Sequence, residues 1–355
     1  MSKLHSNRVE LGTITTTQRN ALSSPPAGTI IFNSTEATPQ IWDGSTWKNL
    51  TNPFSASGGT ETTVGSKKVH TFTSSGNFVV NQDTNSVRIF ILAGGASGGG
   101  RGGNDGSGGG GAGALRFIGA HNVTPGTYPI VVGGGGSGVG AASRGNDGSD
   151  SSAFGYTADG GGAGSSESPS PRAANPGGCG GGAGGYGGGG QATGTGDSGG
   201  TNDSTSPSNG WGNNGGTNDY GSGPSGYNYG GGGGGGIESN GMPGKNLPAA
   251  PTQYQMTPQS GNGGNGLEYS ITGSPVSYGG GGGCGGNGHA GQSNPGAYGG
   301  RGGGGNGGGG PFGNADNASA NTGGGGGGAA SGNPPQPDHS SGNGGSGLVI
   351  IDYET

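Results

Sequence analysis

Glycine occupies 103 of the 355 positions, and its placement constrains the fold more than its abundance does. Seven glycines fall in residues 1–92, which leaves 96 for the other 263. They come in runs, among them Gly133–Gly136, Gly187–Gly190, Gly230–Gly236, Gly279–Gly283 and Gly323–Gly328, separated by stretches rich in Asn, Ser and Pro. Apolar strands close this tract at both ends, so it is neither the glycine loop of an enzyme nor an ordinary linker. Only 25% of the chain is hydrophobic, concentrated in residues 1–132 and 348–353, which excludes one large hydrophobic core. The composition points to a structural or binding protein and away from catalysis.

Four structures compete for the tract. Pro and Gly together make up 124 of 355 residues, a level usually associated with low complexity or disorder. Collagen needs Gly strictly at every third residue, and runs of four to seven glycines broken by irregular loops lose that phase. Flexible linkers do not need 96 glycines between paired strands. The fourth is a packed bundle of polyglycine helices in the polyproline II conformation, with about three residues per turn and about 3.1 Å rise. It has no internal hydrogen bonds, so every N–H and C=O points outward to a neighbouring helix, and only Gly lets helices approach on every side. Fixing each residue costs roughly 1–2 kcal/mol. Each interhelical hydrogen bond contributes roughly 0.5–1.5 kcal/mol net, and each Cα–H···O contact about 0.5–1. These terms nearly balance, so the bundle is expected to hold because flanking strands fix its ends.

Several function classes are excluded by simpler counts. With net charge −6 and 9% charged residues, the chain has no field to steer nucleic acid or an anionic membrane. Its longest apolar stretches are about six residues, against the roughly 20 needed to span a bilayer. The start, Met-Ser-Lys-Leu-His-Ser, lacks the apolar run of a secretory signal. Synthesis in a cytoplasm, with release by assembly into a particle, is expected. Cys179 and Cys284 give no disulfide framework; they read as buried free thiols, with neighbouring positions in one lattice as the alternative. The five histidines have no metal-ligand spacing, so neither metal nor cofactor is expected. Gly244-Lys245 is followed by Asn246 and lacks phosphate-loop spacing, and enzyme activity is not expected. Arg101-Gly102-Gly103 and Arg301-Gly302-Gly303 are two isolated copies on an acidic chain, too few for an RNA-binding box.

The fold expected is all-β, with almost no α-helix. Residues 1–52 read as a small module that oligomerises or docks. In it, Thr17–Leu22 makes one capped turn stopped by Pro25-Pro26, and short strands surround the Asp43-Gly44-Ser45 hairpin turn. Its core is too small for independent stability. Residues 53–66 read as a linker. Residues 67–355 form the glycine-rich domain, with a β-sandwich from 67–132, 267–278 and 347–354. The polyglycine bundle and its variable loops take 133–266 and 279–346. Ser86–Leu92 is nearly apolar throughout and is expected to be covered on both faces. Leu348–Tyr353 is a similar strand far away in sequence, and residues 87–92 are its expected partner.

Aromatic residues interrupt the glycine tract at few places. Trp211, Tyr220, Tyr227 and Tyr229 cluster in Gly210–Gly230 with Asn213, Asn214, Asn218, Asp219 and Asn228, and Tyr254 and Met256 follow in Lys245–Asn262. Exposed aromatics beside amides suit sugar stacking or a paratope-like surface. The alternative is that they clamp their own loops. Trp211, Tyr220, Tyr227, Tyr229 and Tyr254 are the candidate binding residues. Tyr278 and Tyr186, flush against glycine runs, are expected to pack at rims.

Lys68-Val69-His70-Thr71-Phe72-Thr73, Ser86–Leu92 running into Ala93-Gly94-Gly95, and Pro125-Gly126-Thr127-Tyr128-Pro129-Ile130-Val131-Val132-Gly133 resemble the opening of the glycine-rich domain of phage tail proteins. Ile271-Thr272-Gly273, Asn321-Thr322 with Gly323–Gly328, and Gly344-Gly345-Ser346-Gly347 with Leu348–Tyr353 resemble its closing half. Residues 10–50, with Pro26-Ala27-Gly28-Thr29-Ile30-Ile31-Phe32-Asn33 and Trp42-Asp43-Gly44-Ser45-Thr46-Trp47, are similar to modules of phage fibre proteins. The resemblance implies a tail fibre or tail-tip adhesin, whose polyglycine II sandwich presents variable loops, 191–229 and 237–262, to a host surface receptor, a glycan or an outer-membrane protein. Unlike related tip adhesins, this chain carries its own N-terminal module, through which other virion proteins would be met. The weak N-terminal core and the habits of fibre proteins make a homotrimer the expected assembly. A head fibre or capsid decoration is the alternative, and an ice- or surface-binding protein the third.

Overall fold

The computed structural model describes residues 11–50, 54–82, 85–100, 106–140, 143–166, 173–185, 210–218, 230–244, 261–286, 295–309, 313–331 and 339–355. The chain divides into two units, Met1–Ser55 and Ala56–Thr355. In the first, β1 (Thr13–Ile14) leads into α1 (Thr16–Asn20), the single helix among the described residues. Thr15 caps it: the Gln18 N–H donates to Thr15 Oγ1 at 3.2 Å, and the Thr15 N–H donates to Gln18 Oε1 at 2.8 Å. This reciprocal box satisfies two amides that the first turn leaves orphaned. β2 (Ile30–Asn33), β3 (Thr38–Trp42) and β4 (Trp47–Asn49) complete a sheet in the order β1-β2-β3-β4. The β3–β4 turn is fixed by the Asp43 carboxylate, whose Oδ1 accepts from the Ser45 and Thr46 amides at 2.8 and 2.7 Å. Gly44, at φ +105°, takes a conformation that side chains resist.

The second unit is a sandwich of two five-stranded sheets. Its strands are β5 (Ser55–Ser57), β6 (Thr60–Val64), β7 (Lys67–Phe72), β8 (Gly76–Gln82), β9 (Asn85–Leu92), β10 (Leu115–Val123), β11 (Gly126–Val131), β12 (Ser151–Ala153), β13 (Tyr156–Ala158) and β16 (Leu348–Glu354). One sheet runs β10-β9-β16-β7-β6, the other β13-β12-β11-β8-β5. β16 pairs antiparallel with β9, Leu348 opposite Leu92, and with β7, Val349 opposite Phe72, so the last strand in sequence is central in its sheet. Residues 53–66 differ from the linker expected: β5 and β6 are edge strands, one in each sheet. Their Thr- and Ser-rich composition fits an edge with a solvated side. β12 and β13 arise inside what was read as bundle and loop, because three-residue strands leave too little alternation to recognise.

β9 is covered on both faces, as its composition requires. Val87, Ile89, Phe90, Ile91 and Leu92 are all fully buried. Toward the partner sheet, His70 meets Phe78 edge-on at 5.2 Å and stacks on Tyr353 at 5.6 Å. On the other face, Phe90, Leu92, Leu115, Phe117 and Ile350 join a cluster with Trp211, Ile237, Tyr269 and Tyr278. Tyr269 and Tyr278 belong to the hairpin β14 (Leu267–Tyr269) and β15 (Val276–Tyr278), a separate two-stranded sheet. Their rings lie 5.0 and 5.1 Å from Phe90. Asp352 is fully buried on the same sheet and accepts from Arg88 Nε at 2.8 Å, so the charge is paired.

From the sandwich a lattice of glycine-rich segments extends. Segment 106–114 shows its rule. The N–H groups of Gly108, Gly109 and Gly110 donate in turn to Ser165, Gly232 and Gly326, and those of Gly111, Ala112 and Gly113 repeat the sequence with Gly162, Gly235 and Gly323. Its carbonyls rotate likewise: Gly108, Gly109 and Gly110 accept from Gly99, Gly182 and Gly282, then Gly111 and Ala112 from Ala96 and Cys179. Donor and acceptor directions both recur every third residue, and the segment is surrounded by 93–100, 159–166, 178–185, 230–237, 279–286 and 323–331. A Cβ built on Gly110 would overlap Ala96 O, and one on Gly234 or Gly325 would overlap Gly110 O. Absence of a side chain is the condition for this packing.

Candidate functional site

The lattice has two ends. At one, its segments join the sandwich: the Ala93 N–H donates to Ala114 O, that of Ala114 to Asp159 O, that of Gly113 to Gly323 O and that of Ile237 to Gly279 O. At the other end a second network links the last described residues of successive segments. The Gly100 N–H donates to Ser143 O at 2.9 Å, Gly285 to Ser107 O at 2.8 Å, Ser331 to Gly286 O at 3.0 Å and Cys284 to Gly261 O at 2.9 Å. Gly261 in turn donates to Pro243 O at 3.1 Å and Gly244 to Thr217 O at 2.9 Å, while Asn218 forms a bridge with Gly244 and its side-chain amide donates to Gly185 O. Residues 219–229 and 245–260 are therefore bordered by residues at the end remote from the sandwich. Of the candidate residues, Tyr220, Tyr227, Tyr229 and Tyr254 lie in those two stretches, outside the described residues.

Trp211 is the exception, and its expected role is corrected. It is 3% exposed and sits in the apolar cluster against the sandwich. Its N–H donates to Leu115 O at 2.8 Å, and its carbonyl accepts from the Leu115 N–H at 3.2 Å. The reason is directional. Segment 210–218 starts beside Leu115 at the sandwich and ends at Asn218 at the remote end, so Trp211 lies at the sandwich end of its segment and not at the end that borders 219–229. A large ring near Gly is tolerated there because β10 offers it a hydrophobic floor. Tyr278, expected to pack at a rim, is buried with it, and burial raises its phenol above the ordinary range.

Among the described residues, the side-chain amides of Asn213 and Asn218 are also occupied. Asn213 Nδ2 donates to Gly236 O at 2.9 Å and to Ile237 O at 2.8 Å, and the Asn214 N–H donates to Asn240 Oδ1 at 2.9 Å. This belongs to a wider pattern along the flanks. Asn262 and Asn265, three residues apart, accept through Oδ1 from the N–H groups of Tyr298 and Arg301, also three apart. Asn306 accepts from Gly299, Asn317 from Asn343, and Asn343 from Gly138. An outer segment has no neighbour on one side, and side-chain carbonyls stand in for the missing backbone acceptors. The spacing of three was the signal in the sequence that could have found them.

On these flanks the large exposed apolar side chains among the described residues are Tyr298, 67% exposed, and Met242, 47%. Both touch Asn262 through the backbone, Met242 N–H to its main-chain oxygen at 2.8 Å and Tyr298 N–H to its side chain. Arg301, from one of the Arg-Gly-Gly copies, is paired with Glu238 at 3.2 Å. Cys179 and Cys284 are free and buried, and burial pushes each thiol up to about 12. Among the described residues no group of His, Cys, Asp or Glu could hold a metal ion, and no helix is long and apolar enough to cross a membrane.

Comparison with known families gives two matches that divide the chain. Residues 71–354 match the model of a glycine-rich domain, and residues 9–67 match that of a phage tail like trimerisation region. No curated protein matches the chain.

Proposed function

The chain belongs to the glycine-rich domain family and is a phage tail fibre-type protein, and from that premise we propose that it is an adhesin whose lattice is a polyglycine II bundle displaying receptor-binding loops. Two features support the helix type. The hydrogen-bond directions of segment 106–114 recur every third residue, the period of that helix, and all are made to other segments. The observation that carries the function is the two-ended lattice. Residues bordering 219–229 and 245–260 cluster at the end away from the sandwich, so a rigid support holds both stretches where a host surface can meet them.

Tyr220, Tyr227, Tyr229 and Tyr254 are the receptor-contacting residues of this reading. Tyrosine supplies a large rigid face and a polar tip at low entropic cost, which suits stacking on sugar rings or insertion between loops of an outer-membrane protein. Trp211 has no part in the contact; it braces the base. The test is phage adsorption with the tyrosines replaced in pairs. Tyr227→Ala with Tyr254→Ala should lower the adsorption rate at least about tenfold, the loss of about 1.4 kcal/mol, while thermal stability and virion incorporation stay unchanged. Immunogold label against 245–260 should mark the tail. Unchanged adsorption, or gold over the head, would remove the adhesin reading.

A further inference from the structure

The N-terminal sheet leaves one apolar face open. Side chains alternate between faces along a strand, and residues opposite one another in an antiparallel pair share a face. The registers Ile30↔Ile41, Phe32↔Pro39 and Ile41↔Lys48 therefore put these side chains together. Leu50, two residues beyond Lys48, continues the same face, with its N–H donating to Pro39 O at 2.8 Å. Ile30 is 42% exposed and Leu50 43%, and Phe32, Pro39 and Ile41 are only partly covered.

The opposite face, beneath α1, holds a hydrogen-bonded polar group instead. Gln40 Oε1 accepts from Asn33 Nδ2 at 3.0 Å and from Arg19 at 2.8 Å, and Gln40 Nε2 donates to Glu36 at 2.8 Å and to Asn49 at 2.6 Å. Ile31 is the sole buried apolar side chain of residues 11–50. A unit of this size with one such side chain cannot be held together by its own hydrophobic core. Ile30, Phe32, Pro39, Ile41 and Leu50 lie on the open face, while Ile31, Trp42 and Trp47 share the face of Gln40.

We propose that this face is the surface through which three copies of the chain associate. Three β2–β3–β4 sheets would stand around a three-fold axis with Ile30, Phe32, Pro39, Ile41 and Leu50 turned inward, building between chains the core that each lacks. The match of residues 9–67 to a trimerisation region says what occupies the face but not which surface is used, and the inference rests on that tail fibre-type reading. Lys48, the one charge on the face, lies 3.9 Å from Asp43 and is 61% exposed, which places it at the margin beside the turn. Side-chain charges of the polar face are paired within the unit, Arg19 with Glu36 at 3.0 Å, and need no partner from another copy.

The test is sedimentation equilibrium of the full chain, with Trp42–Trp47 fluorescence and circular dichroism reporting on the fold of the unit. The wild type should sediment at three times the chain mass, and Ile30→Glu with Leu50→Glu at one chain mass with the tryptophan signal unchanged. A double variant that stays trimeric would overturn the assignment of this face while leaving trimerisation intact. If the double variant unfolds the unit, Ile30→Cys decides: oxidation should link chains within the trimer, and a trimer that fails to link overturns the proposal. A monomeric wild type would overturn it together with the trimer, and maleimide protection of Ile30→Cys in that monomer would give the face to residues 1–10. None of these readouts involves adsorption, so the adhesin reading stands or falls separately.

Discussion

At the residue scale, the lattice distinguishes glycines that cannot change from glycines that can. A Cβ on Gly233 would overlap Asn262 O and one on Gly326 would overlap Gly342 O, whereas one on Gly134 meets nothing within 4 Å. Backbone atoms held by hydrogen bonds on several sides cannot yield as the end of a side chain can. Gly233→Ala or Gly326→Ala is therefore expected to destabilise by about 3 kcal/mol or more, and Gly134→Ala by less than about 0.5, measured by thermal or denaturant unfolding. Equal tolerance at the three sites would contradict the packing. Ala96, Ala112 and Ser107 are fully buried in the same segments. A methyl or hydroxymethyl fits at positions where it avoids a neighbour's carbonyl, so composition alone does not tell which small residue is required.

At the element scale, the N-terminal hairpin carries a pH dependence with a definite sign. Backbone N–H groups of Thr46 and Ser45 hold the Asp43 carboxyl well below the usual carboxylate range. A depressed folded-state value means that the ionised turn is the more stable one. Its contribution is complete above the ordinary aspartate value, near 3.8, and is lost as pH falls toward the folded value. Acidification below about pH 4 should weaken the signal of the Trp42–Trp47 pair, whose rings stand 5.6 Å apart across the turn. Asp43→Asn should flatten that dependence; an unchanged acid transition in the variant would mean that another group governs it. The flank segments follow an equally local rule, since each Asn oxygen replaces an acceptor that an interior segment receives from its neighbour's backbone.

At the scale of the whole molecule, the fold closes on its own C-terminal strand. β16 lies between β9 and β7, bringing residues 348–354 against 67–72 and 88–92. Without it the sandwich lacks a central strand, and the lattice loses the base that holds its ends against backbone entropy. Removal of residues 348–355 should leave the glycine-rich unit unfolded, seen as loss of near-ultraviolet dichroism and rapid proteolysis. A truncated chain that retained native-like protection would show that the lattice holds without the sheet. The same architecture separates the molecule into a sandwich that orders the segments and a remote end that borders the loops.

Much of this was legible in the residues themselves. The all-β class, a short capped turn near Thr17–Leu22, the hairpin at Asp43-Gly44-Ser45 and the pairing of residues 87–92 with the C-terminal strand follow from capping chemistry, turn residues and apolar runs that need cover on both faces. These are local properties, or the demand of one strand for another of matching character. Tertiary structure alone decided the rest. Trp211 reads as part of the Tyr220–Tyr229 cluster because it is close in sequence, yet segment 210–218 begins at the sandwich with Trp211 and reaches the remote end only at Asn218. Residues 53–66 read as a linker because the chain's solvated edges look like loops. The apolar face of the N-terminal sheet escaped notice because alternation shows which residues share a side, and only packing shows which side is covered. Glycine runs carry no pattern of their own, so which segments adjoin, and which end they turn toward solvent, depends on the hydrogen bonds between them.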